Sequence, residues 1–142
     1  MQELYTFSLN HWELVAAFLI TLAMLIFNIC GDQLRGFESI SAEAAVRLLN
    51  GEDTLLIDVR NKDELTKDGH IKDAKHIPLN KLREKMGDLE QHRSHTVAII
   101  CRSGNRSGVA CGQLKKDGFE HVYNLKGGIL SWKSAGLPVS YK

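Results

Sequence analysis

Cys101 stands where an apolar run gives way to a short polar one: Ile99-Ile100-Cys101-Arg102-Ser103-Gly104-Asn105-Arg106-Ser107. The run before it reads as a buried strand and residues 107–116 as a helix. The thiol is therefore expected at the carboxyl end of a strand, where open α/β sheets bind ligands. A loop that curls before entering a helix can turn successive backbone N–H groups toward one point. Such a nest, reinforced by the helix N-terminus, favours an anion. The same field lowers a thiol pKa and raises its thiolate fraction. Gly104 supplies the backbone freedom for the curl, and Ser103, Asn105 and Ser107 keep the loop small and polar. Arg102 and Arg106 add positive charge and donors suited to an oxyanion. The chemistry this permits is covalent catalysis by an activated thiolate. An inert core cysteine is the plain alternative, but it has no use for two adjacent cations.

Other candidates read as supports. Asp58 and Arg60 sit at the end of an earlier apolar run and are expected to fix the loops around that strand end, with Glu64 as a partner for Arg60; charged pairs at buried turns are usually structural. His70 reads as a hydrogen-bonding anchor, because a thiolate stabilised by its loop needs no general base. Cys111 reads as a small core residue or a resolving thiol for Cys101. Trp132 reads as core packing, and His92, His95 and His121 as surface or strand-edge residues. The three cysteines, Cys30, Cys101 and Cys111, form no CxxC pair and no metal-ligand spacing with the histidines, so no metal is expected.

The elements that must position Cys101 alternate along 37–142. Strand-like runs cover 54–59, 97–100 and 121–125. Helix-like runs cover 41–49 with Ser41 as N-cap and Gly51 as stop, 81–90, 107–116 with Gly118 as stop, and a stretch from Gly127-Gly128 through Trp132. This pattern predicts an open parallel sheet with helices on both faces. A hydrophobic share of 44% and a charged share of 25% fit a folded domain rather than a disordered chain. A net charge of +1 with no long basic run excludes a broad electrostatic pull toward nucleic acid.

Residues 14–29 are apolar except for Thr21 and Asn28. With Leu9 and Trp12 extending the run, and Tyr5, Trp12 and Phe27 placed for the interfaces, a single transmembrane helix is expected over about 9–29, within a segment 1–30. A signal peptide lacks its basic start here, a lipidated Cys30 lacks a small residue before it, and a core helix would be apolar on every face. Residues 31–36 read as a polar linker, and 37–142 as the folded domain. No Lys or Arg occurs in 1–13, whereas Arg35, Arg47 and others follow, which predicts a single pass of the inner (cytoplasmic) membrane with the domain in the cytoplasm.

The motifs together resemble the rhodanese family. The loop Cys101-Arg102-Ser103-Gly104-Asn105-Arg106-Ser107 is similar to its active-site loop. Asp58-Val59-Arg60 with Glu64, Gly69-His70-Ile71 with Ala74, Ile77 and Pro78, Leu125-Lys126-Gly127-Gly128-Ile129 with Trp132, and Leu137-Pro138-Val139 follow in the family's order. Two departures stand out: 61–68 is one residue longer than the commonest pattern, and Asp73 occupies a usual glycine position. With its apolar leader the chain resembles single-domain, membrane-anchored bacterial rhodaneses. The resemblance implies a sulfurtransferase in which Cys101 becomes a persulfide held by the amides of 102–107. A small anionic sulfur donor such as thiosulfate loads it, a thiol, a protein or cyanide accepts the sulfur, and no metal or organic cofactor is needed. A non-catalytic partner-binding module of the same fold, and a cysteine phosphatase or arsenate reductase with a longer spacing from Cys to Arg, are the competing readings.

Overall fold

A computed structural model of the chain describes residues 11–34, 36–51 and 53–141, with the side chains of 28–34 left undescribed. Two compact units result, Met1–Leu34 and Arg35–Lys142.

The first unit holds α1 (Trp12–Leu34), a helix of 23 residues. Its apolar side chains are exposed, Leu14, Phe18, Ile20, Met24, Leu25 and Phe27 among them. The one hydroxyl among them is satisfied within the helix, where Thr21 Oγ1 donates to the carbonyl of Ala17 at 2.8 Å. Among the described residues no helix is long and apolar enough to cross a membrane, so the transmembrane helix expected over 9–29 is not shown. Tyr5, Leu9, Arg35 and the Cys30 side chain lie outside the described residues.

The second unit runs β1 (Glu38–Ile40), α2 (Ala42–Leu49), β2 (Thr54–Asp58), α3 (Lys62–Asp68), β3 (Lys75–His76), α4 (Leu79–Leu82), a 3-10 helix (Met86–His92), β4 (Thr96–Ile100), α5 (Asn105–Lys116), β5 (His121–Leu125) and α6 (Gly128–Ser134). The strands form one sheet in the order β1-β5-β4-β2-β3, and every pair is parallel. The expected parallel α/β architecture holds. Strands β2 and β4 are central and buried on both faces, which is why they read as unbroken apolar runs. Alternation along β4 divides the core. Val97 and Ile99 pack with Leu82, Leu89, Ala110, Cys111 and Leu114. Ala98 and Ile100 pack with Ala42, Ala45, Ile129 and Trp132 on the other face. Trp132 also satisfies its indole N–H, which donates to the Pro138 carbonyl at 2.9 Å.

Differences from expectation have local causes. The helix expected over 81–90 is split into α4 and the 3-10 helix, which are separated by residues 83–85. Helix α3 was not expected because none of its residues is buried, so it leaves no apolar period. Strands β1 and β3 have 3 and 2 residues, too few to show alternation. Asp73, at the usual glycine position, takes a φ of 62°, so the chain turns there as glycine would.

Candidate active site

Strand β4 ends at Ile100, and α5 begins at Asn105. The four residues 101–104 form the turn between them. Gly104 precedes the helix with a φ of 98°, a left-handed conformation that glycine adopts without steric cost. The curl brings the Gly104 amide to 3.1 Å from Cys101 Sγ. The Ser107 hydroxyl, one turn into α5, donates to the same sulfur at 3.2 Å. Burial pushes the Cys101 thiol up. The Ser107 hydroxyl and the amides of Ser107, Gly104 and Ser103 outweigh it, and the net effect holds the thiol below its ordinary range. Among the described residues, the amides of Arg102, Asn105 and Arg106, which the resemblance assigns to the persulfide, make no hydrogen bond to the unloaded thiol. Cys101 is 1% exposed, on the floor of a loop whose rim, Arg102, Ser103 and Asn105, is open to solvent.

The arginines and carboxylates pair differently from the expected scheme. Glu64 does not partner Arg60. Its carboxylate accepts from Arg106 Nη1 at 2.7 Å and Nη2 at 2.6 Å. That bidentate bond holds the Glu64 carboxyl down at about 2 and raises the Arg106 guanidinium. Arg60 turns to Asp58 instead. Its Nε and Nη2 donate at 3.0 and 2.6 Å, and Nη2 also reaches the Gly69 carbonyl at 2.8 Å. Arg60 and Asp58 are 0% and 1% exposed, so this buried pair organises the strand end. The physical cause of the misassignment is geometry. Glu64 lies on the first turn of α3, where it also caps the Asn61 amide at 3.1 Å, and that turn faces the loop. Arg106 is thus neutralised and Arg102 is the loop cation that carries no ion pair among the described residues.

Three residues that the sequence did not single out for the site hold the loop in place. Asn124, in β5, donates from Nδ2 to the Gly104 carbonyl and to Ser39 Oγ, each at 3.2 Å. A polar residue at an inward position of an apolar strand was its available signal. Gly127 and Gly128 carry the start of α6 against the loop's first residues. The Ile129 amide donates to the Cys101 carbonyl at 2.8 Å. A Cβ on Gly128 would lie 2.3 Å from that carbonyl oxygen, so the close approach requires glycine.

The remaining candidates fall away from the sulfur. His70 anchors through its main chain, exchanging hydrogen bonds with Ser140 at 2.8 and 2.7 Å. Cys111, on α5, is buried in the core cluster that includes Val97 and Ile99 of β4. His92 and His95 approach each other at 3.3 Å just before the start of β4, whose other end leads into the loop.

A strand-end cysteine, a tight left-handed turn and a helix on a five-stranded parallel sheet define a class, and comparison with known proteins identifies it. The rhodanese-like domain family matches residues 41–135, and the chain belongs to that family. A sulfurtransferase of Allochromatium vinosum is 39% identical over 99 residues, covering 70% of this chain and 90% of that protein. An uncharacterized protein of Escherichia coli, YibN, is 29% identical over 140 residues, covering 98% of this chain and 97% of that one. The crystal structure of a rhodanese-related protein from Thermoplasma volcanium superposes with a TM-score of 0.66 at 36% identity, covering 75% of this chain and 100% of that chain.

Proposed function

We propose that the chain is a sulfurtransferase that carries a sulfane sulfur as a persulfide on Cys101. The thiolate attacks the outer sulfur of thiosulfate, the bond to the sulfonate sulfur breaks, and sulfite leaves with the electron pair. The persulfide then gives its outer sulfur to cyanide or a thiol, and the thiolate returns. The observation that carries this reading is the convergence of the Gly104 amide and the Ser107 hydroxyl on one sulfur, at 3.1 and 3.2 Å. Those donors stabilise negative charge on the attacking thiolate and, after loading, on the perthiolate. The outer sulfur of a persulfide extends about 2 Å beyond Sγ. Arg102 is positioned to attract an anionic donor. The Arg106–Glu64 pair speaks against a phosphatase, which would need the loop arginine for its phosphate. In a steady-state assay, thiocyanate formation from thiosulfate and cyanide should show ping-pong kinetics and vanish in Cys101→Ala. Hydrolysis of a phosphoaryl ester without thiocyanate formation would overturn the reading.

Attachment to the inner membrane through residues 9–29, with the Arg35–Lys142 unit in the cytoplasm, belongs to the same proposal. The exposed apolar side chains of α1 support it, and the lack of Lys and Arg in 1–13 supports the orientation. Flotation of the full chain with liposomes, lost on removal of 1–34, is the expected result; recovery of the full chain in the unbound fraction would contradict it.

A further inference from the structure

At the edge of the sheet, β3 and the segments around it enclose a groove of about 500 Å³. Its lining carries four lysines, Lys62, Lys75, Lys81 and Lys85, together with His76. Asp88 is the one lining carboxylate among the described residues, and it lies 3.3 Å from Lys85 in an exposed pair. Lys62, Lys75 and Lys81 are exposed and carry no ion pair among the described residues. A chain of net charge +1 thus gathers unbalanced positive charge in one concave place.

The groove opens at the same end of the sheet as Cys101. His76 pairs with Asp58 in register, and Asp58 pairs with Ile100, the residue before the cysteine. Strand β3 lies two strands from β4, a displacement of about 10 Å. The His76 ring contacts the Arg60 carbonyl at 2.7 Å, and Lys62 opens the helix whose Glu64 grips the loop through Arg106. A partner seated in the groove therefore lies beside the loop rim.

The chemistry of the lining selects the partner. The four ammonium groups come from α3, β3, α4 and the turn that follows it. They are flexible point charges rather than planar forks. Among the described lining residues no polar side chain is buried, as a preformed small-anion site would need. Spread lysines on an open edge suit an extended acidic surface and act through complementary charge. We propose that this groove docks an acidic polypeptide segment of the protein that exchanges sulfur with Cys101. The proposal rests on the sulfurtransferase reading for the exchange, though not for the docking.

The test uses the full chain and two cysteine-ended peptides of equal length, one of glutamates and one of glutamines. Equilibrium binding of the glutamate peptide should exceed that of the glutamine peptide by on the order of tenfold. That preference should weaken with added salt, vanish in the variant K62Q/K75Q/K81Q/K85Q and persist when the same lysines become arginines. With Cys101 loaded, kcat/KM for sulfur transfer to the glutamate peptide should show the same preference and the same loss, while transfer to cyanide is unchanged in both variants. Equal binding of the two peptides, or a preference for anionic over neutral lipid vesicles that the K62Q/K75Q/K81Q/K85Q variant abolishes, would overturn the docking. A chain that never loads sulfur yet keeps the binding preference would sink the sulfurtransferase reading and leave the groove standing.

Discussion

Glu64 and Arg106 meet in a two-pronged bond, 2.7 and 2.6 Å, between the first turn of α3 and the loop that bears Cys101. The pair couples two segments 42 positions apart in the chain, and the pH dependence of stability follows from it. The Glu64 carboxyl is lowered from 4.5 to about 2 by Arg106. A group whose folded pKa is depressed contributes stability that is present above its unfolded value and lost as pH falls through the folded one. Glu64→Gln should cost about 1 kcal/mol near neutral pH, a value discounted for the partial exposure of the pair. The gap between wild type and variant should close between pH 4.5 and about 2. Denaturant melts across that range check it, and a constant gap would contradict it.

Ser107→Ala removes the hydroxyl that donates to Cys101 Sγ. The thiol pKa should rise, because a hydrogen bond that favours the thiolate is lost. The pH midpoint of iodoacetamide alkylation measures it. An unmoved midpoint would show that the loop amides alone set the thiolate.

Burial of Cys101 at 1% exposure sorts reagents by size. Iodoacetamide should modify the folded protein at least about tenfold faster, relative to an unfolded control, than a bulky aromatic disulfide does. Equal relative rates would mean that the sulfur is not on the floor of a narrow loop.

Gly128→Ala places a Cβ 2.3 Å from the Cys101 carbonyl oxygen at a φ of 57°. The strain and the clash should together cost about 3 kcal/mol. Persulfide formation should fall with stability, because the carbonyl that must move belongs to the nucleophile. A melt combined with the thiosulfate assay reads both.

How far the sequence reached follows the range of the forces involved. The Cys101 loop was legible because its curl, its glycine and its serine act within seven residues. The sheet was legible because β2 and β4 are buried on both faces and so run apolar without interruption. The partner of Glu64 was not: four residues from Arg60 in the chain, it turns on its helix toward Arg106 instead. Asn124 escaped notice because its acceptor, the Gly104 carbonyl, comes from another element. Helix α3 buries nothing and so left no period. The usual glycine position at Asp73 shows how a motif constrains backbone as well as side chain, since aspartate there keeps the positive φ.

The most direct test of the account is an intact mass of the protein after incubation with thiosulfate. Wild type should gain the mass of one sulfur atom, lose it on brief exposure to cyanide, and gain nothing when Cys101 is replaced by alanine. An unchanged wild-type mass, or a gain that persists in Cys101→Ala, would contradict the claim that the loop activates this sulfur for transfer.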